Sequence, residues 1–229
     1  MPLFLGLFSV FSFQPFNLIF INFIIFPSLF FLINYVKKKS KNIYRKKPFL
    51  KNLFFVGYSF GFGFFISGTY WISQSLTFDQ SFNFLIPFAF ILLPLSLGIF
   101  YGFASLIAGL IIKNNISSIL FFCVSFSSMD YLRSKIFTGF PWNIWAYSFS
   151  SYIEILQLLN PVGLFAFNLI SLSIFCIPII LLLKRNLINI VLFIFSILTL
   201  FLCHIYGSFV INNLNVMSGS ERVTLDRSF

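Results

Sequence analysis

Apolar positions in this chain come in long runs, interrupted only by isolated residues such as Asn22, Pro27, Asn34, Pro87 and Pro94, rather than in stripes. Runs cover residues 3–13, 17–36, 53–73, 84–112, 116–126, 162–183 and 187–206, with short polar punctuation between them. A helix apolar around its whole circumference sits in lipid or in a large core, whereas a surface helix shows one apolar face. About 20 apolar residues cross the ~30 Å hydrocarbon layer, and most of these runs suffice. The first has only eleven residues, about 17 Å of helix, before Gln14 and Pro15 stop it. It predicts a tilted or short first helix. The fifth run becomes polar after Phe126, through Asp130, Arg133 and Lys135. The expected fold is an all-α membrane protein, a polytopic bundle of about seven transmembrane helices over residues 1–206. A short polar tail, 207–229, follows.

Small residues at helical spacing mark the third and fourth runs: Gly57 and Gly61, then Gly98 and Gly102. Lipid tails supply no hydrophobic force between helices, so close backbone approach at small residues is the main packing device. Helix packing is the expected role of these glycines. Phosphate binding does not suit a pattern in the middle of a span.

Composition agrees with a bilayer. Apolar residues make up 59% and charged residues 9% of the 229, with Phe alone supplying 38; a soluble domain carries roughly a quarter charged residues. Net charge is +10, and its placement is the informative part. Lys37, Lys38, Lys39, Lys41, Arg45, Lys46, Lys47 and Lys51 lie in one loop between two runs. Counting crossings with the N-terminus inside puts this loop, residues 113–115 and residues 184–186 on the cytoplasmic side, with eleven of the fifteen Lys and Arg residues. That satisfies the positive-inside rule and places the tail on the outer, periplasm-like face. Nucleic-acid binding by the basic loop lacks an aromatic stacking platform. The N-terminus has no basic n-region or small-residue cleavage site, so it reads as a span and not as a removable signal.

Cys123, Cys176 and Cys203 all sit in apolar runs without Cys-x-x-Cys spacing, so neither a disulfide framework nor a metal site is indicated. No cofactor motif is present. Cys203 and His204 are adjacent and point about 100° apart on a helix, which argues against a catalytic dyad.

The stretch 130–147 stands apart, because three charges, a Thr-Gly-Phe-Pro-Trp turn and large aromatics fall within eighteen residues. Asp130 and Arg133, three apart, share a helix face and can pair. Lys135 can snorkel outward. Gly139 and Pro141 end the helix. Trp142, Trp145 and Tyr147 suit an interfacial aromatic belt. Two readings of the residues stay open. One is a helix end with an aromatic anchor; the other is a loop lining the lipid entrance of an outer-face site, with Arg133 engaging a phosphate or an apposed domain and Trp142 packing on an acyl chain or headgroup.

The run Tyr-Leu-Arg-Ser-Lys-Ile-Phe-Thr-Gly-Phe-Pro-Trp-Asn at 131–143 resembles the signature of bacterial apolipoprotein N-acyltransferases. Three further segments are similar in order: Phe-Ser-Phe-Gln-Pro-Phe-Asn at 11–17, the glycine-rich 57–72, and 160–168 with Gly163 and Asn168 in a Gly-x-x-x-x-Asn pattern. The resemblance covers about residues 5–206. It implies transfer of an acyl chain from a membrane phospholipid, through a cysteine thioester, to the α-amino group of a diacylglyceryl-cysteine lipoprotein. It also implies that a Glu, a Lys and a Cys on an extramembrane nitrilase-like domain do that chemistry. No such set stands in 207–229, where Glu221 is the one Glu and Lys and Cys are absent. The expectation is a membrane portion inactive alone, active only if a separately encoded nitrilase-like domain supplied the chemistry. The tail's change of composition suggests a frameshift or truncation. By position, the resemblance carries over Arg133, Thr138, Gly139, Phe140, Pro141 and Trp142 as lipid-entrance or domain-docking residues, and no catalytic residue. The alternative is a non-catalytic membrane scaffold or small transporter; charges avoiding span centres argue against translocation.

Overall fold

A computed structural model describes residues 1–43, 47–78, 80–136, 143–183 and 187–225, and every regular element among them is helical. Helix α1 (Pro2–Ser9) runs into a 3-10 turn, Val10–Ser12. The long helices are α2 (Asn22–Ile43), α3 (Lys47–Gly68), α5 (Ile86–Ile111) and α6 (Ile116–Ile136), with the short α4 (Tyr70–Ser75) between α3 and α5. Beyond α6 come the short α7 (Ile153–Leu156) and α8 (Leu159–Val162), then α9 (Leu164–Phe175), α10 (Ile177–Leu183) and α11 (Leu187–Leu225).

Among the described residues, five stretches are long and apolar enough to span a bilayer: Ile19–Ser40, Phe49–Gly68, Asn83–Ile111, Leu164–Leu183 and Leu187–Asn213. The other two expected spans are α1, which is short as its sequence requires, and α6. At 21 residues, α6 is about 31 Å long, but its serines and charges lower its hydropathy. It joins the bundle by burying Phe122, Phe126, Asp130 and Arg133 along one face. The chain is a multi-pass helical membrane protein.

Helix α3 is central, packed most extensively on α5 and next on α1. The glycines explain why. A Cβ on Gly57 would strike the Tyr101 carbonyl of α5, and one on Gly61 would come within 2.8 Å of the Tyr101 Cβ. On the other side, a Cβ on Gly63 would strike the Leu3 carbonyl and one on Gly6 the Phe60 carbonyl. The packing role expected of Gly57 and Gly61 is therefore realised with named backbone partners. Between these helices lies an aromatic core in which Phe26, Phe30, Phe60, Phe64, Phe122 and Phe126 are fully buried.

Several boundaries differ from the sequence expectation. Residues 37–43 and 47–52, expected as loop, are helical and extend α2 and α3 beyond their apolar runs, and the third span, expected to reach residue 73, breaks after Gly68. The sixth span divides at Cys176, because Pro178, near the start of α10, has no N–H to continue the helical ladder. Helix α11 continues through Leu225 instead of ending at Tyr206. No proline follows Pro178, and only Gly207 and Gly219 interrupt α11, so nothing stops the helix where the apolar run ends.

One end of the bundle is strongly basic. There Lys37 Nζ donates to the Leu110 and Ile112 carbonyls at 2.9 and 2.8 Å, neutralising the C-terminal end of α5. The Asn34 amide bonds to Asn114 Oδ1. The start of the basic loop and the 113–115 turn thus share one end, as the charge count requires.

Candidate functional site

Toward the opposite end, a buried polar cluster joins four segments that lie far apart in sequence. Tyr101 comes from α5, Asp130 and Arg133 from α6, Trp145 from the 3-10 segment Trp145–Phe149, and Asn168 from α9. Asp130 is the hub. Its Oδ1 accepts from the Tyr101 hydroxyl at 3.1 Å and from an Arg133 terminal nitrogen at 3.3 Å, and its Oδ2 accepts from Asn168 Nδ2 at 3.0 Å. Tyr101 in turn accepts from Trp145 Nε1 at 2.8 Å, and Asn168 Oδ1 accepts from the Ala146 backbone N–H at 3.1 Å.

The donors form two chains that converge on one carboxylate. One runs from Trp145 through Tyr101, the other from Ala146 through Asn168. Both begin in the segment after residue 142, which is therefore pinned to the bundle by a side chain and by its backbone. Burial makes the arrangement stringent, since Tyr101, Asp130, Arg133, Trp145 and Asn168 are each 0% exposed. A polar group taken out of water without a partner costs several kcal/mol in an apolar medium, on the order of 4–8. The expected Asp130–Arg133 pairing is present as an ion pair at 3.3 Å, and the guanidinium also lies 5.0 Å from the Phe65 ring centre. An isolated ion at such a site is expensive, so each charge requires the other.

The local sequence sets these positions up. The i, i+3 spacing on α6 aligns Asp130 with Arg133. Gly163, at φ +78, turns the chain into α9, five residues before Asn168. Asn143 opens the pinned segment in a left-handed conformation, φ 54, which Asn tolerates better than most residues. Its amide lies so close to Gly68 that a Cβ there would collide with it.

Trp145 departs from the interfacial role expected of it. Its ring stacks on Phe64, with centroids 4.4 Å apart, and meets Phe26 edge-on at 4.7 Å. The indole N–H, which would seek water in a belt, finds Tyr101 instead, and that partner makes burial possible. Tyr147 is half-buried, and the burial pushes its phenol above the ordinary value. Lys135 is exposed and leans over the Tyr131 ring. Of the residues expected at a lipid entrance or docking rim, Arg133 lies inside the bundle on Asp130. Thr138, Gly139, Phe140, Pro141 and Trp142 lie outside the described residues, directly between the two halves of the cluster in sequence.

Chemically, the cluster holds backbone in place. The Asp130 carboxylate is engaged by three donors and no cysteine belongs to it. Cys123 and Cys176 are fully buried in the core, and Cys203 faces an apolar groove between α9–α10 and α11. No group of three or more His, Cys, Asp or Glu residues gathers among the described residues. Tyr101, Trp145 and Asn168 are the members whose convergence the sequence does not announce. A lone Tyr and a lone Asn inside apolar helices were the available signal, because each must find a partner.

The fold defines the class, an all-α multi-pass membrane bundle. The family follows from comparison with known proteins. The family described as "Apolipoprotein N-acyltransferase N-terminal domain" matches residues 5–177, and the chain belongs to it. An apolipoprotein N-acyltransferase of Brucella suis biovar 1 is 33% identical over 176 residues, 76% of this chain and 32% of that protein. One from Sinorhizobium medicae is 32% identical over 175 residues with the same coverage, and one from Rickettsia bellii is 39% identical over 116 residues, 50% of this chain and 23% of that protein. The chain spans about a third of the length of the curated relatives first matched. The match includes the whole polar cluster and ends at the start of α10, leaving α11 outside it.

Proposed function

We propose that these 229 residues are the membrane portion of an apolipoprotein N-acyltransferase, set in the bacterial inner membrane with the N-terminus cytoplasmic. The reaction moves an acyl chain from a membrane phospholipid to the α-amino group of a diacylglyceryl-cysteine lipoprotein. In this reading the bundle holds the rim on which a nitrilase-like domain sits, and residues 138–142 form the lipid entrance or docking edge, with Arg133 buried behind them on Asp130. The Glu, Lys and Cys of the chemistry come from residues beyond these 229, on the same polypeptide or another. By itself this portion transfers nothing.

The observation that carries the proposal is the carboxylate hub. It secures the chain on both sides of residues 137–142, through Arg133 before them and through Trp145 and Ala146 after them. An edge that must meet lipid on one side and a catalytic domain on the other needs such fixed ends, because placement errors of an ångström erode catalysis. The cysteines fit the same reading: Cys123 and Cys176 are sealed in the core, away from the cationic, accessible surroundings that activate a thiol. Expression of the 229-residue chain in a strain depleted of its own acyltransferase tests the inactivity. No growth is expected, and growth restored by this chain alone would refute it.

A further inference from the structure

The basic end holds a feature that the acyltransferase reading does not use. Between α2, α3 and the start of α1 lies a shallow open pocket of about 380 Å³. Tyr35, Val36 and Phe55 form its apolar walls, and Lys39, Ser40 and Asn52 supply its polar side. The pocket sits where the apolar stretches of α2 and α3 give out, at Ser40 and Phe49, which is the depth of lipid headgroups. Both aromatic walls carry an ammonium: Lys39 Nζ is 5.8 Å from the Tyr35 ring centre and Lys51 Nζ 5.8 Å from that of Phe55. Asn52 Nδ2 donates to Ser40 Oγ at 2.9 Å, which fixes both groups at the pocket edge and leaves the Ser40 hydroxyl proton and a second Asn52 N–H to give.

Among the described residues, no acidic side chain is paired with these ammonium groups. The first 78 residues contain eight Lys and Arg residues and no Asp or Glu. Lys37 is spent on the α5 carbonyls, whereas Lys38, Lys39 and Lys51 are exposed. Ammonium groups and hydrogen-bond donors above apolar aromatic walls complement a phosphate attached to acyl chains, and basic pockets between helices at the membrane surface recognise such headgroups.

We infer that this pocket is a binding site for an anionic phospholipid of the leaflet at the basic end. The phosphate lies between Lys39 and Lys51, with Ser40 and Asn52 donating to it, and the first acyl carbons run down past Tyr35, Val36 and Phe55. The site is at the opposite end of the bundle from the carboxylate hub and does not depend on the acyltransferase reading. It ties α2 to α3 across the basic loop, whose charges otherwise repel one another.

Native mass spectrometry of the purified full chain, exchanged from detergent into phosphatidylglycerol or phosphatidylcholine, reads the site directly. Wild type is expected to retain phosphatidylglycerol preferentially. Lys39→Gln and Lys51→Gln should each lower that retention about fivefold, the weight of one charge at an anionic surface, while Lys39→Arg restores it and Lys113→Gln leaves it unchanged. Val36→Phe, which fills the pocket and keeps every charge, should also lower it. Equal retention of the two lipids by wild type would overturn the site. Undiminished retention in Lys39→Gln would do the same, and undiminished retention in Val36→Phe would reduce it to a diffuse basic surface. Displacement of the lipid by excess inorganic phosphate would overturn the lipid assignment in favour of a free-anion site.

Discussion

Asp130→Asn isolates the central element of this fold. The substitution keeps the size of the side chain and removes one charge. Arg133 then remains 0% exposed without its ion-pair partner at 3.3 Å, and an amide N–H is turned toward the N–H donors of Asn168 or Arg133. Removing one member of a buried pair costs about 3–5 kcal/mol. For a chain of this size each kcal/mol shifts the midpoint by roughly 2–4 °C, so a loss on the order of 10 °C is expected. Cys123 and Cys176 are fully buried, which makes thermal exposure to a thiol-reactive dye in detergent a direct assay. The companion variant is Asp130→Leu with Arg133→Met, which removes both charges and leaves neither orphaned. It should recover most of the loss, since apolar replacement of a whole buried pair is often neutral or stabilising. An unchanged midpoint in Asp130→Asn, or a double variant as impaired as the two singles summed, would refute the hub.

Trp145→Phe keeps the stack on Phe64 and deletes the bond to Tyr101, so about 1 kcal/mol should be lost, against about 3–5 kcal/mol for Trp145→Ala; equal losses in the thiol assay would contradict the stated geometry. Asn168→Leu orphans the Ala146 N–H, at about 1–3 kcal/mol, and hydrogen exchange should quicken across residues 143–149 while α3 is unaffected. Gly57→Ala meets the Tyr101 backbone carbonyl, whereas Gly102→Ala meets only the ring of Phe54, at 2.6 Å; the first should abolish monodisperse protein and the second reduce its yield mildly.

Much of this architecture is legible from residues alone, for identifiable reasons. Spans are local: twenty apolar residues announce themselves without reference to the rest of the chain. The Asp130–Arg133 pair is equally local, three residues apart on one helix. The glycines of α3 were readable because small residues in a span have few other uses. Convergence was not readable. Tyr101 and Asn168 stand 29 and 38 residues from Asp130, and nothing in the sequence fixes which helix faces which. Trp145 misleads for a physical reason. An amphipathic ring near a helix end ordinarily belongs at the water boundary, and only a hydroxyl supplied from α5 allows it into the core. The extension of α11 past Tyr206 was missed because hydropathy marks the end of a membrane stretch, whereas a helix ends only where a breaker intervenes.

The mass of a lipoprotein N-terminus tests the central claim most directly. The 229-residue chain, alone or together with a nitrilase-like domain from a relative, would be expressed in cells depleted of their own acyltransferase, and a purified lipoprotein would be analysed for its third acyl chain. The account predicts diacylated lipoprotein with the chain alone, triacylated lipoprotein with both, and diacylated lipoprotein again when Asp130→Asn replaces the wild-type membrane portion. Triacylation by the chain alone would contradict it, as would no triacylation with both partners present in the membrane.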